Sequence, residues 1–453
     1  MTTTARLAEF VLKTTLADCP EPVLVQVRRA ALDTLGCMLA GAPEPVARIV
    51  REVARAEGGV PLCTVVGTSM RTAPTWAALA NGAAGHAHDF DDTNFALLGH
   101  PSVPLLAAAL AAGEAEMADG ATVALAYVIG FEISAALGRA LNPAHYERGW
   151  HATTSIGTLG CTAAAARVLG LDAAQTGHAL GIAASLASGL KENFGSMTKP
   201  YHAGHAARNG VLAARLAREG MTASASALEG RQGYAAAFSG GALPADVFER
   251  LGQRWELVSS GIAVKPYPSC ALTHAAIDAL LDLRARHHLE PDAIAGVEVG
   301  VNHVVPSVLI HPAPTTALER KFSMQFCAAQ ALAEGRVDLA SFDDGPVPEP
   351  ARRLMSRVRM VVDPTLPDGL EQHAWCRVTM TLADGRVIGG LPNGAHGHPD
   401  RPLDAAALRE KFLACAAVVL PRDEAEAIAG QIDHLEEIPD IRALTSRLAG
   451  DAE

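Results

Sequence analysis

The chain is short of positive charge. Across 453 residues, 37 Lys and Arg face 49 Asp and Glu, a formal net charge of −12. Binding to a phosphate backbone is driven by clustered cations that would have to overcome this background, so nucleic acid is excluded as a partner. A cysteine array is also lacking. Cys19, Cys37, Cys63, Cys161, Cys270, Cys327, Cys376 and Cys415 include no Cys-x-x-Cys pair and no closely grouped trio, which excludes the common zinc and iron–sulfur patterns. They read as small buried hydrophobes. The N-terminus, MTTTARLAEFVLKTTLADCP, lacks a basic stretch followed by an apolar run and a cleavage site, and no later apolar run approaches a clean membrane span. The expectation is a soluble, cytoplasmic protein with no membrane partner.

What the chain does have is length and apolar content. At 453 residues and 49% hydrophobic, it exceeds the size at which a single core stops growing, so two domains are expected. Up to about residue 262 apolar residues recur three and four apart, as in Leu24, Val27, Ala31, Leu35 and Met38, and again in Leu125, Val128, Ile129 and Ile133. Beyond it, GVEVGVN (Gly296 to Asn302) alternates, Val358 to Val362 is β-prone, and Ala374 to Gly389 reads as strand, Asp384-Gly385 turn, strand. That predicts an antiparallel α+β unit. Helical periodicity returns near residue 403, so the tail can pack back on the first part. The predicted fold is therefore mainly α with an α+β part: a large all-helical domain over 1–262, a smaller α+β domain inserted over 263–395, and C-terminal helices over 396–453 returning to the first.

Residues 86 to 94 read HAHDFDDTN. On a helix His86 and His88 stand about 200° apart and cannot share a metal; on a strand they would share a face, but the preceding Ala-rich run favours helix. No metal site is predicted. Two readings stay open: a helix end turned and capped by Asp89, Asp91 and Asp92, or a pocket wall. GWHATTSIGTLG places His151 at a helix entrance with Thr153 or Thr154 as its N-cap; an imidazole there either moves protons near pH 7 or is structural. TKPYHAGHAARNG carries Lys199, His202, His205 and Arg208, and VKPYPSCALTHAAID carries Lys265, Ser269, Cys270 and His274. In both, proline disfavours a helical conformation at the preceding lysine. Each lysine is expected on an extended segment, pointing into a cleft or solvated at a domain edge.

NGAAGHAHDFDDTN with GHPS, GWHATTSIGTLG, TKPYHAGHAARNG, KPYPSCALTHAAID, KFSMQF and GHPDRPL, in this order, resemble the MmgE/PrpD family over nearly the whole chain. That family includes 2-methylcitrate dehydratase, cis-aconitate decarboxylase and iminodisuccinate epimerase. The resemblance implies a helical domain with an α+β lid, a homodimer, and no metal or organic cofactor. Matched to the decarboxylase branch, it implies active-site positions at Asp89, Thr93, His100, His151, Lys199 and Lys265. The step from Thr93 to His100 is one residue longer than in that branch, and the lysine segment is worded nearer the epimerase.

The reactions of that family all form or discharge negative charge beside a carboxylate, which calls for cations and a proton donor–acceptor. The sequence thus predicts a cofactor-independent lyase acting on a small di- or tricarboxylate such as 2-methylcitrate or cis-aconitate. His151 is assigned as acid–base, Lys199 and Lys265 as carboxylate clamps, and Asp89 as a group that orients a histidine or pairs with a lysine. His100 is a further catalytic candidate, and Thr93, His202, Ser269 and His274 are substrate-binding candidates. The alternatives are an epimerase in the same fold and a catalytically silent carboxylate-binding protein.

Overall fold

The computed structural model describes residues 1–367, 375–390 and 394–450. Its N-terminal part is a stack of apolar helices, among them Glu21–Gly41, Pro74–Gly85, Ser102–Glu116, Gly120–Leu141, Gly157–Val168 and Thr198–Arg218. Small residues let them approach closely. A Cβ added to Gly204 would fall 2.1 Å from Leu79 O, and one on Gly82 would fall 2.5 Å from the Gly204 Cα, so helices Pro74–Gly85 and Thr198–Arg218 cross backbone to backbone. The crossing places the residue after the first helix, His86, beside the start of the second, where Lys199 lies.

Helix Gly120–Leu141 corrects one expectation. It has the length and apolar composition of a membrane span, yet 89% of its most apolar window is buried inside the protein, where Val123, Tyr127, Val128 and Phe131 are covered. Buried helices that are apolar all round meet the same test.

Two apolar cores organise the chain. One runs from Leu7 through the N-terminal helices and takes in Leu403, Leu408, Phe412, Ile428 and Leu444, so helices Ala405–Ala416 and Arg422–Ile432 pack against the first part. The other contains Ile277, Leu280, Val299, Phe326, Val378 and Met380. It covers a four-stranded sheet ordered Val358–Val362, Ile294–Val301, Cys376–Leu382, Val387–Gly389. Within Cys376–Leu382, burial alternates with the two-residue period that the pattern predicts. The sheet is mixed and not purely antiparallel: Val358–Val362 runs parallel to Ile294–Val301. A parallel neighbour needs a crossover, here supplied by helices Met324–Glu334 and Glu349–Met355, whose topological effect strand patterns do not carry. Ala374, the first residue of the predicted strand–turn–strand, lies outside the described residues. The fold is mainly α with a small α+β part.

The first core is joined to the second by an extended stretch after Ser260. Thr93 and Ala263 exchange backbone hydrogen bonds, N–H to O at 3.0 Å and 2.7 Å, while Asn94 Nδ2 donates to Ser260 Oγ and Gly261 O. The connection is therefore sewn to the HAHDFDDTN segment.

Candidate active site

The helix carrying NGAAG stops at Gly85, and the chain then turns instead of continuing. His86 and His88 part company. His88 faces Ala40 O at 3.2 Å and Glu44, whereas His86 turns inward, its Nδ1 2.8 Å from Asp91 Oδ1 and its Nε2 2.8 Å from Lys199 Nζ. An ammonium can only donate and an ionised carboxylate only accept, so His86 carries its proton on Nδ1. Burial lowers its pKa to about 4, leaving the ring neutral at pH 7.

Asp89 is the centre of the turn. Its φ is +52°, the left-handed region that an L residue enters at a cost and that Asp tolerates better than most. Lys199 Nζ donates to its Oδ1 at 2.8 Å, Lys265 Nζ lies 3.1 Å from the same oxygen, and His100 Nε2 lies at 3.4 Å. Burial alone would raise this carboxyl, but the two ammonium groups outweigh it and hold it well below the usual carboxylate range. Three successive carbonyls of the turn also accept from lysines. Lys321 Nζ reaches His88 O at 2.9 Å, Lys265 Nζ reaches Asp89 O at 2.8 Å, and Lys411 Nζ reaches Phe90 O at 2.7 Å. Asp91 and Asp92 diverge: Asp91 faces His86 and His100, whereas Asp92 Oδ2 accepts from Ser102 Oγ at the start of helix Ser102–Glu116.

Both readings left open for this segment are realised in one structure, since the helix end is also the wall of a cavity. That cavity has about 640 Å³ of empty space, part of it open to solvent, within the usual range of small-molecule sites. Asp89, Thr93, His100, His151 and Lys199 line it together with Phe95, Leu98, Leu272, Val304, Val308 and Phe322. Lys265 stands behind Asp89, 2% exposed.

His151 caps the short helix Ala152–Ser155 from its N-terminal side. The expected cap residues, Thr153 and Thr154, lie inside that helix; Thr153 Oγ1 instead accepts the N–H of His100 at 3.0 Å, tying the two histidine segments together. His151 Nδ1 sits 3.1 Å from His202 Nδ1, which leaves Nε2 for the cavity. Burial, with His202 and Lys199 adding to it, holds the His151 pKa well below the usual imidazole value. Burial also depresses His100, with Lys265 and Lys199 in support and Asp91 in opposition.

Lys199 corrects another expectation. It lies in the first turn of helix Thr198–Arg218, not on an extended segment. A proline two residues into a helix removes only an N–H that would have no partner there, so Lys199-Pro200 is tolerated where a mid-helix pair is not. Lys265, in the extended connection, matches its prediction.

His202, Ser269 and His274 are off the cavity wall. His202 backs His151. Ser269 Oγ bonds Thr273 Oγ1 at 2.9 Å, and His274 Nε2 donates to Ser269 O at 3.0 Å, closing a turn inside the α+β part. His205 and Arg208 point away, toward Tyr201 and Trp76. Sequence reasoning missed His86 and Asp91, because helix geometry was extended past Gly85 to His88. It also missed Tyr146, Phe194 and Phe322 on the wall and the brace lysines Lys321 and Lys411, for which spacing carries no signal.

Asp89 Oδ2, Asp91 Oδ2, Thr93 Oγ1 and His100 Nδ1 find no hydrogen-bond partner; His100 Nδ1 lies 3.0 Å from Asp91 Oδ2 but off the line of a bond. Unpaired buried polar atoms beside a cavity mark where a ligand or water completes the network. His86, Asp89, Asp91 and His100 offer ligand atoms within 4.8 Å of one another, a donor set acceptable to a divalent cation by type. Such a cation would meet Lys199 and Lys265, the two ammonium groups already on Asp89, the first of which also occupies His86 Nε2, so the arrangement fits an anion better.

Residues 5–245 match the MmgE/PrpD N-terminal domain and residues 267–437 the MmgE/PrpD C-terminal domain. The chain is 30% identical over 442 residues to cis-aconitate decarboxylase of Homo sapiens, covering 94% of this chain and 90% of the relative. It is 30% identical over 440 residues to that of Mus musculus, covering 94% and 89%, and 25% identical over 476 residues to that of Aspergillus terreus, covering 98% and 95%. With both domains matched in order on either side of the sewn connection, the chain belongs to the MmgE/PrpD family.

Proposed function

We propose that this chain is a cofactor-independent lyase that eliminates CO2 or water from a small polycarboxylate. One observation carries the reading: two buried ammonium groups converge on a single carboxylate, Asp89, beside a cavity whose wall also presents two imidazoles. A substrate carboxylate takes part of the Lys199 charge that Asp89 holds in the free protein, so the lysines are already desolvated and oriented when it arrives. Relatives named as cis-aconitate decarboxylases support the same class of chemistry.

In decarboxylation a C–C bond breaks, CO2 leaves, and the electron pair left on carbon takes a proton. In dehydration a base removes the proton beside the carboxylate, and the C–O electron pair departs with a proton as water. Both need a group that holds a proton at a fixed place near pH 7. His151 Nε2 is that group, with His202 fixing the ring from behind and an incoming carboxylate raising its low affinity for a proton. Lys199 binds the substrate directly, and Lys265 acts through Asp89.

A second reading, epimerase, rests on His100 and His151 both reaching the wall, since inversion needs proton transfer on two faces. Incubation with cis-aconitate, 2-methylcitrate and an iminodisuccinate-type dicarboxylate in D2O separates the outcomes. A lyase gives CO2 with a monodeuterated product, or an alkene; an epimerase gives deuterium at an inverted centre with the skeleton intact. Inversion without elimination overturns the lyase reading. We further propose a homodimer, on the family resemblance, for which ultracentrifugation at micromolar concentration is the check.

A further inference from the structure

The chain has five tyrosines, and three of them give their hydroxyls a partner. Tyr127 meets Ser102 Oγ at 2.7 Å, Tyr201 meets His205 Nδ1 at 3.1 Å, and Tyr267 donates to Asp278 Oδ1 at 2.6 Å. A fourth, Tyr234, is sealed in the helical core, 3% exposed. Tyr146 is different. It lines the cavity, is half-buried, and its hydroxyl has no hydrogen-bond partner among the described residues. A covered phenol normally finds one, so this O–H is left for whatever occupies the cavity.

The ring is held in place. Tyr146 lies in the short helix Ala144–Glu147; Lys191 Nζ donates to its carbonyl at 3.2 Å and lies 3.7 Å from the centre of its ring. The segment that carries Lys191 is bonded to the residues around His151: Lys191 N donates to Gly149 O at 2.8 Å, and His151 N donates to Gly189 O at 2.9 Å. Phe194, three residues after Lys191, meets the His151 ring edge-on with centroids 5.0 Å apart. Tyr146 and His151 thus belong to one braced stretch, and both reach the wall. Burial raises the Tyr146 phenol, with Cys270 and the charge of Asp89 adding to the rise, so it keeps its proton at pH 7 and can donate.

Donors on this wall are scarce. Lys199 directs two of its three N–H bonds at His86 and Asp89, Asn94 Nδ2 directs both of its own at Ser260 and Gly261, and a neutral imidazole has one. A carboxylate offers about four lone-pair sites, so an acid with two carboxylates asks for more than Lys199, Thr93 and the imidazoles hold. We propose that the Tyr146 hydroxyl is a substrate-binding group that donates to a carboxylate oxygen of the bound acid. This rests on the lyase reading for the kind of substrate and on the cavity wall for the donor. Such a charge-assisted hydrogen bond is strong, and an uncharged phenol adds no repulsion to the ammonium groups already gathered on Asp89.

Tyr146→Phe removes one oxygen and keeps the ring beside Lys191; melting temperature checks that it is folded. Calorimetry on the full chain uses maleate and tricarballylate, the saturated counterpart of cis-aconitate. Neither yields a stabilised carbanion on losing CO2, so Kd is read without turnover. Tyr146→Phe is expected to weaken both about 10- to 100-fold, the range of a hydrogen bond to a charged group. Ultraviolet difference spectra give a second reading, because a phenol that donates to an anion absorbs at longer wavelength. Wild type should show a red shift on saturation with either acid, and the folded variant should not; if the variant does not fold, the red shift in the wild type decides. Equal Kd in the two proteins, no red shift in the wild type, or a red shift that survives in Tyr146→Phe overturns the inference and leaves the lyase reading to turnover of cis-aconitate and 2-methylcitrate. Weaker binding and a lost red shift, in a protein that releases no CO2 and eliminates no water from those two acids, uphold the inference and overturn the lyase reading. Failure of maleate and tricarballylate to bind the wild type overturns the inference, and without turnover it overturns both.

Discussion

Replacing Asp89 by Asn tests the central arrangement with almost no change of shape. Lys199 Nζ and Lys265 Nζ both lie within 3.1 Å of Asp89 Oδ1, so they are at most about 6 Å apart, and the carboxylate between them offsets their repulsion. At an effective dielectric of about 20, two like charges at about 6 Å repel by about 3 kcal/mol. Removing one member of a buried ion pair costs about 3–5 kcal/mol by experience with other proteins. All three groups are at most 4% exposed, so solvent does little to reduce either figure. At about 2.1 cal/mol/K of unfolding entropy per residue, 453 residues correspond to about 1 kcal/mol per degree, so Asp89→Asn should lower Tm by about 3–5 °C. The same change leaves the lysines in need of an anion. A saturating dicarboxylate should therefore raise Tm more in the variant than in the wild type, as binding to the folded state alone requires. The pH dependence has a fixed sign. The folded carboxyl is depressed, so its contribution is present above the unfolded value of about 3.9 and is lost as pH falls through the lower folded value. Differential scanning calorimetry at pH 7, with and without maleate, reads both effects. An unchanged Tm together with equal ligand stabilisation in the two proteins would refute the idea that Asp89 is the counter-ion holding the lysines for substrate.

Three further outcomes are expected. His151→Gln should keep the cavity's shape yet lower kcat by about 10²- to 10⁴-fold, and steady-state kinetics showing normal turnover would remove His151 from the chemistry. Buried His86, His88 and His145 are depressed to about 4 and His202 and His274 to about 3, so the unfolded chain binds protons from about pH 6.5 downward that the folded chain refuses. Stability should fall from pH 6.5 toward 4 by up to about 1.4 kcal/mol per pH unit per histidine, and a Tm constant to pH 4.5 contradicts this. Binding of a dicarboxylate at pH 7 should draw a proton onto the neutral imidazole cluster, read as a buffer-dependent heat in calorimetry; identical heats in phosphate and Tris count against His151 as the proton holder.

How much of this was legible in the sequence depends on whether local pattern or distant packing decides each feature. The helices Glu21–Gly41 and Gly120–Leu141 announce themselves because one or more faces must be apolar, and the strand Cys376–Leu382 because its alternation matches a half-buried sheet. The parallel pairing of Val358–Val362 was not legible, since pairing partners are chosen by topology. Asp89 and Lys199 were recognisable as residues of a site, but not that they touch: residues 110 apart meet only because Gly82 and Gly204 let two helices cross at contact distance. His86 was misjudged for a local reason. Its partner Asp91 becomes a neighbour only after the chain leaves the helix at Gly85, and the spacing that separates two residues on a helix says nothing about a turn.

That turn shows how the protein keeps a strained residue where chemistry needs it. An aspartate at φ +52° relaxes unless its surroundings over-determine it, and here the surroundings come from separate parts of the chain. Lys321, from the α+β part, holds the carbonyl before Asp89; Lys265, from the sewn connection, holds its own; Lys411, from the C-terminal helix Ala405–Ala416, holds the next. Lys411 is itself paired with buried Asp33 on helix Glu21–Gly41, 2.5 Å away, so the brace is anchored in the first core. Burying this many ammonium groups is costly, and apolar residues of similar volume would pack the same space at less expense in hydration. What apolar residues cannot do is donate to three consecutive carbonyls. The lysines thus make the conformation of Asp89 conditional on helical stack, connection, α+β part and C-terminal helices all being in place. The part of the cavity wall built around Asp89 is therefore complete only in the fully assembled chain, which is the physical reason its residues are drawn from nearly the whole length of the sequence.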